Sequence, residues 1–314
     1  MCGVEAALAE VLGAERVSGL TRLSGGASRE TFLFEADGER FVLQRQRAGD
    51  VRDMGNEAAV LRAAFAAGVP VAELVASSNV ASEIGSAFMV SRAVDGETIA
   101  RKILRDPEFA EARRVLAGQL GAALAKVHAT DVAHLTTLPV VEVHDQLPQY
   151  RALLDGYAEP HPAFELAFRW LHDHQPPPTR RTLVHGDFRL GNVMVGSDGL
   201  RAALDWELAH LGDPMEDLGW LCVKAWRFGS PYPVAGVGDY AELAEAYEAA
   251  SGIAVDIDVV RWWEVLGTMK WGIMCMGQAN THLSGVARSH ELAAIGRRVC
   301  ENEHDLFLAL EGRW

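Results

Sequence analysis

Eight residues, His185-Gly-Asp-Phe-Arg-Leu-Gly-Asn192, lie between two short apolar runs at 182–185 and 192–195, and a third apolar run, Ala202-Ala-Leu, ends in Asp205. Short apolar runs bounded by turn residues read as buried strands, so the pattern delivers Asp187, Asn192 and Asp205 to strand ends. These are hard oxygen ligands of the kind magnesium prefers, and magnesium is typically held by one or two carboxylates together with substrate phosphates. Asp187 is also placed to act as a general base. A surface turn with incidental polar residues is the plain alternative. The correctly spaced distal Asp205 argues against it.

The 314-residue chain is long enough for one large domain or two lobes. Its 49% hydrophobic and 23% charged content is that of an ordinary globular protein. The longest run worth testing as a membrane span, residues 271–287, contains Asn280, Thr281, His282 and three glycines, too polar and too short to cross a bilayer. Glu5 and Glu10 interrupt the pattern a secretion signal needs, so the expected location is the cytoplasm. Cys2, Cys222, Cys275 and Cys300 are far apart and read as idle thiols rather than a disulfide or zinc framework. The net charge of −14 opposes binding to nucleic acid or an anionic membrane.

Composition divides the chain near residue 93. All eight tryptophans lie at or after Trp170; residues 1–93 carry nine basic against twelve acidic side chains, and 94–314 carry 20 against 31. The first region reads as strands, with Thr31-Phe-Leu-Phe-Glu and Arg40-Phe-Val-Leu-Gln joined by an Asp-Gly hairpin turn. A helix over residues 56–67 stops at Gly68, and Ala87-Phe-Met-Val-Ser forms another strand. The second region is mainly helical, with amphipathic segments at 113–128 and 240–251, the latter stopped by Gly252.

The sequence His-x-Asp-x-x-x-x-Asn followed by a second Asp resembles the catalytic loop of the aminoglycoside phosphotransferases and choline-kinase-like enzymes. The resemblance implies an α+β, two-lobed protein-kinase-like fold: residues 1–93 as a small antiparallel-sheet, nucleotide-binding lobe with a helix, and 94–314 as a larger helical lobe for catalysis and substrate. It implies ATP, with GTP also compatible, and Mg2+. Asp187 would then accept or orient the proton of a substrate hydroxyl, Asn192 and Asp205 would hold the metal, and Arg189 would neutralise transition-state charge. Leu23-Ser-Gly-Gly-Ala-Ser is similar to the glycine-rich hairpin, with Gly25, Gly26 and Ser28 near the phosphates. Glu57 matches the glutamate that pairs with a basic residue on the preceding strand. Met89-Val-Ser-Arg-Ala-Val resembles the hinge, where backbone at Arg92 and Val94 would meet the adenine. Asp217 falls where relatives brace the catalytic loop.

One departure stands out, since no lysine precedes Lys102. Direct alignment puts the uncharged Gln44 at the position of the usual lysine. Arg45 is the alternative, reaching Glu57 if a bulge or strand end turns it. Arg29 stands where many relatives have Asn, a position open to a phosphate contact or to solvent.

The implied activity is phosphoryl transfer to a small-molecule hydroxyl, on an aminoglycoside, an amino alcohol or a hydroxyacyl-CoA. The segment Asp95-Gly-Glu-Thr-Ile-Ala-Arg-Lys-Ile looks most like the kinase-like domains related to those fused to acyl-CoA dehydrogenases. Two rival readings are a catalytically weak nucleotide-binding module, suggested by the missing lysine, and a metal-dependent phosphohydrolase. Glu301, Glu303 and Asp305 offer either an amino-sugar site or a solvated helix face. No His spacing supports zinc.

Overall fold

The computed structural model describes residues 2–23, 29–47, 53–80 and 84–313; Gly25, Gly26 and Ser28 lie outside them. A helix, α1 (Cys2–Leu12), leads into strands β1 (Val17–Arg22), β2 (Arg29–Ala36) and β3 (Glu39–Gln46). Helix α2 (Met54–Ala66) follows, then β4 (Leu74–Ser78) and β5 (Phe88–Arg92). The strands form one antiparallel sheet in the order β1-β2-β3-β5-β4.

The hairpin between β2 and β3 turns at Asp37 and Gly38, both at positive φ (49° and 85°), as an Asp-Gly two-residue turn requires. The Asp37 carboxylate also accepts the backbone N–H groups of Glu15 (3.0 Å) and Arg16 (2.9 Å), tying the turn to the start of β1. So tight a turn fixes the register through to Thr31 opposite Gln44, Glu30 opposite Arg45 and Arg29 opposite Gln46. Because side chains alternate, Phe34, Phe41 and Leu43 fall on one face, where they pack with Leu8 of α1, Phe88 and Val90. Each such side chain contributes about 1.5–3 kcal/mol by leaving water. Arg29, Thr31, Val42 and Gln44 fall on the opposite face.

The rest is mainly helical. Short helix α3 (Ala100–Arg105) precedes α4 (Ala110–His128), α5 (Val143–Tyr157) and α6 (Pro162–Asp173). Strand β6 (Thr182–Val184) pairs with β9 (His210–Gly212), and β7 (Val193–Gly196) pairs with β8 (Gly199–Ala203). Helices α7 (Met215–Cys222), α8 (Tyr240–Ser251), α9 (Ile257–Leu283), α10 (His290–Gly296) and α11 (Val299–Leu310) complete the chain. Helix α8 starts in a capping box between Asp239 and Glu242 and stops at Gly252 in the left-handed region. A continuous apolar core runs from α2 through α4 to α9. A backbone bond joins the sheet region to the helical region, Ala203 N–H donating to the Pro70 carbonyl at 2.7 Å, and Glu97, just past β5, bridges Val195. Among the described residues, no helix is long and apolar enough to cross a membrane.

Candidate active site

The loop after β6 is shaped from beneath by two buried groups. Asp217, on α7 and wholly buried, accepts the backbone N–H groups of His185 (2.7 Å) and Gly186 (2.9 Å). Burial alone would raise its pKa, but the hydrogen bonds from His128 and from the His185 backbone N–H outweigh it and hold the carboxyl low. His185 is the second group. Its Nδ1 accepts the N–H of Asp187 (3.2 Å), so the proton sits on Nε2, which faces the Leu204 carbonyl at 3.0 Å. Burial lowers its pKa against the pull of Asp217 and Asp187, keeping the ring neutral. Gly186 turns the chain at φ +80°, and a Cβ there would lie 2.5 Å from the Leu208 carbonyl oxygen.

This support sets the Asp187 carboxylate, 17% exposed, among three N–H donors. Its Oδ1 accepts from Arg189 Nε (2.9 Å) and Trp220 Nε1 (2.8 Å), and its Oδ2 from Asn192 Nδ2 (2.5 Å). A carboxylate offers about four acceptor positions, so three held N–H groups leave room for one further hydrogen. The Arg189 guanidinium also stacks over Trp226, 4.6 Å from the ring centre.

Asp205 joins this group because Leu204 donates its N–H to the Asn192 carbonyl (2.8 Å), closing β8 against the loop. Asp205 itself has φ +61°, a left-handed conformation that Asp tolerates better than most residues. Burial, then the charges of Glu207, Glu57 and Asp187, push its carboxyl up to about 6 against the opposing pull of Arg29. This excess of negative charge, presented by oxygen donors alone, fits a hard divalent cation such as magnesium. Asn192 and Asp205 are the residues that would hold it. Among the described residues, no three His, Cys, Asp or Glu side chains gather as a metal cage on their own.

A cavity of about 490 Å³ lies between the sheet and the helical region, walled by Arg29, Gln44, Ser91, Val94, Asn192 and Asp205 among others. Gln44 and Val94 therefore face it, as does Arg92. The Arg92 N–H is already donated to the Glu73 carbonyl (2.9 Å), and its guanidinium pairs with Glu39 and Glu73.

Arg45 takes a different place from the one that would bring it to Glu57. It lies on the α1 face of the sheet, pairs with Glu30 at 2.7 Å and sits over the Phe32 ring. The strand is regular here, and in a regular ladder Arg45 faces the same way as its cross-strand partner Glu30. Glu57, 5% exposed, is paired with Arg29 instead. Trp220, absent from the reading of the loop, is one helical turn beyond Asp217 on α7, a spacing that signals a shared face. The three C-terminal acids are each paired: Glu301 with Arg298 (3.1 Å), Glu303 with His161 (2.9 Å) and Asp305 with Lys224 (2.9 Å).

The family model for the phosphotransferase enzyme family matches residues 19–263, taking in the hairpin, the cavity and the loop. The chain belongs to this family. Among curated relatives, acyl-CoA dehydrogenase family member 11 of Gallus gallus is 27% identical over 313 residues, covering 90% of this chain and 40% of that protein. The chain thus spans well under half the length of that relative. Two solved structures share the family's kinase-like fold. A Ralstonia eutropha protein assigned as an aminoglycoside phosphotransferase matches with a TM-score of 0.78 at 22% identity, over 99% of this chain and 98% of that one. A thermostable mutant of aminoglycoside phosphotransferase APH(4)-Ia, in ternary complex with ADP and hygromycin B, matches with a TM-score of 0.66 at 18% identity, over 98% of each chain.

Proposed function

We propose that this phosphotransferase-family protein moves the terminal phosphoryl group of ATP to a hydroxyl of a small molecule. One observation carries the reading: Asp187, Asn192 and Asp205, from three separate strand ends, converge beside a cavity whose far wall holds Arg29 and, behind it, Glu57. The nucleotide lies in that cavity with its base toward Ser91, Arg92 and Val94 and its phosphates toward Asn192 and Asp205. Residues 1–93 supply most of the nucleotide site, and 94–314 the catalytic loop and acceptor site. Asp187 accepts the hydroxyl hydrogen at its remaining acceptor position while the hydroxyl oxygen attacks phosphorus and ADP departs. Arg189, held against Asp187 and Trp226, places positive charge beside the transferring group. Magnesium, when bound, offsets phosphate charge.

The acceptor is neutral or anionic, and a hydroxyacyl-CoA is the class we favour. A polyamine sugar needs carboxylates to spare, yet Glu301, Glu303 and Asp305 each already have a partner in Arg298, His161 and Lys224. Beside Asp187 the half-buried Arg189 guanidinium lies over Trp226 (4.6 Å), a cation on an aromatic ring next to the reacting position. Similarity to acyl-CoA dehydrogenase family members supports the same choice.

The test is calorimetry of magnesium–nucleotide binding to wild type and Asp205→Ala, followed by ATP consumption against aminoglycosides, choline-like alcohols and hydroxyacyl-CoA. The expected result is binding lost in the variant and turnover on hydroxyacyl-CoA. Tight binding without turnover on any acceptor would favour the silent module. Phosphate release exceeding acceptor phosphorylation would favour a phosphohydrolase, and absence of nucleotide binding would sink the reading.

A further inference from the structure

We infer that Arg29, the first residue of β2, is the phosphate-binding cation of the nucleotide site, taking over from β2 the task for which β3 carries only Gln44. The inference rests on the nucleotide reading above and adds a residue to it.

Three observations carry it. The register set by the Asp37-Gly38 turn places Arg29 on the same sheet face as Thr31, Val42 and Gln44, and all four line the cavity. The same register sends Arg45 to the other face, where Glu30 holds it. Finally, Arg29 is 6% exposed, hydrogen-bonded to the buried Glu57, and 3.7 Å from Glu207.

A cation this deeply buried needs a partner, and Glu57 serves. The pair alone does not account for the surroundings, since Glu207 and Asp205 add negative charge around the same guanidinium. Arginine has five N–H donors in a rigid fork. Among the described residues the fork is hydrogen-bonded to one Glu57 oxygen, with Glu207 farther off at 3.7 Å, and phosphate oxygens are the acceptors such a fork suits. Glu57 on α2 thus orients Arg29 rather than a β3 side chain, so the glutamate keeps its place while its partner moves one strand across the sheet.

The experiment measures binding of adenosine, ADP and magnesium–ATP to the full chain by calorimetry, with steady-state KM and kcat where an acceptor turns over. Removing Arg29 alone leaves Glu57 buried without a partner, so the main variant is the double substitution Arg29→Met with Glu57→Gln. It is expected to weaken magnesium–ATP binding by about 30-fold or more, the equivalent of losing charge-assisted hydrogen bonds, with adenosine affinity unchanged. Arg45→Ala is expected to bind magnesium–ATP as wild type does. Adding Gln44→Lys to Arg29→Met, which returns the cation to β3 beside an intact Glu57, should restore much of the lost affinity. Unchanged ATP affinity in the double variant, or an equal loss in Arg45→Ala, overturns the assignment of Arg29 while leaving the nucleotide site standing. A parallel loss of adenosine and ATP binding overturns it too, by showing a structural role only. A wild-type protein that binds none of the three ligands overturns the nucleotide reading itself.

Discussion

The indole N–H of Trp220 donates to Oδ1 of Asp187 at 2.8 Å, across 33 residues of sequence. Trp220 is almost fully buried, packs at a tilt against Trp226 and lies under the Lys270 ammonium. A carboxylate at the mouth of a loop is thereby fixed by a rigid ring in the core. Trp220→Phe keeps the ring and removes the donor. We expect kcat to fall by about 10-fold, the scale of one hydrogen bond to a charged group, with nucleotide KM little changed. Steady-state kinetics on the accepted substrate checks this.

Asp187→Asn keeps the shape of the loop and removes the group that takes the hydroxyl hydrogen. The rate should fall by about 10²–10⁴, while calorimetry shows magnesium–ATP binding retained. Comparable turnover in the variant would move the base elsewhere.

Glu216 lies beneath the site, buried, with Lys270 at 3.2 Å, His210 at 3.3 Å and Gln146 at 2.7 Å. Burial would raise its pKa, but Lys270 and His210 dominate and pull it down to about 2. A depressed carboxyl pKa stabilises the fold fully above the unfolded value near 4.5, and that stability is lost as pH falls toward 2. Wild-type Tm should therefore drop between pH 4.5 and 2. Glu216→Gln should be less stable at pH 7 by about 3–5 kcal/mol, since Lys270 is left buried and unpaired. Its Tm should be flatter across the acid window, as thermal scans against pH would show.

Gly219 permits the close crossing of α7 and α9. A Cβ there would lie 2.3 Å from the Cβ of Trp263 and 2.7 Å from its carbonyl carbon. Neither helix yields cheaply, so Gly219→Ala should cost about 1–3 kcal/mol, read from the urea midpoint. Because α7 carries both Asp217 and Trp220, kcat should fall as well.

The features legible in the sequence are those written within a dozen residues of one another. The Asp37-Gly38 turn announced the hairpin, Gly252 the end of α8, and the spacing from His185 to Asn192 the loop that carries Asp187. Helix α2 was legible in outline, and its Glu57 was found as a residue awaiting a cation. The choice of that cation was not legible from composition, because Arg29 and Arg45 are both basic and both near. The hairpin register decides it, placing one on the cavity face and the other opposite Glu30.

The fates of the C-terminal acids follow the same division. Glu303 reads alike as a ligand or a solvated helix residue, until the packing of α11 against α6 brings it to His161, 142 residues away. Local periodicity and turn chemistry are properties of neighbouring residues, so the sequence by itself determined the elements and the loop motif. Which charges meet depends on contacts between residues far apart in the chain. The tertiary structure alone decided that Glu57 holds Arg29, that Asp187 is held by Trp220, and that Glu303 and Asp305 near the end meet His161 and Lys224.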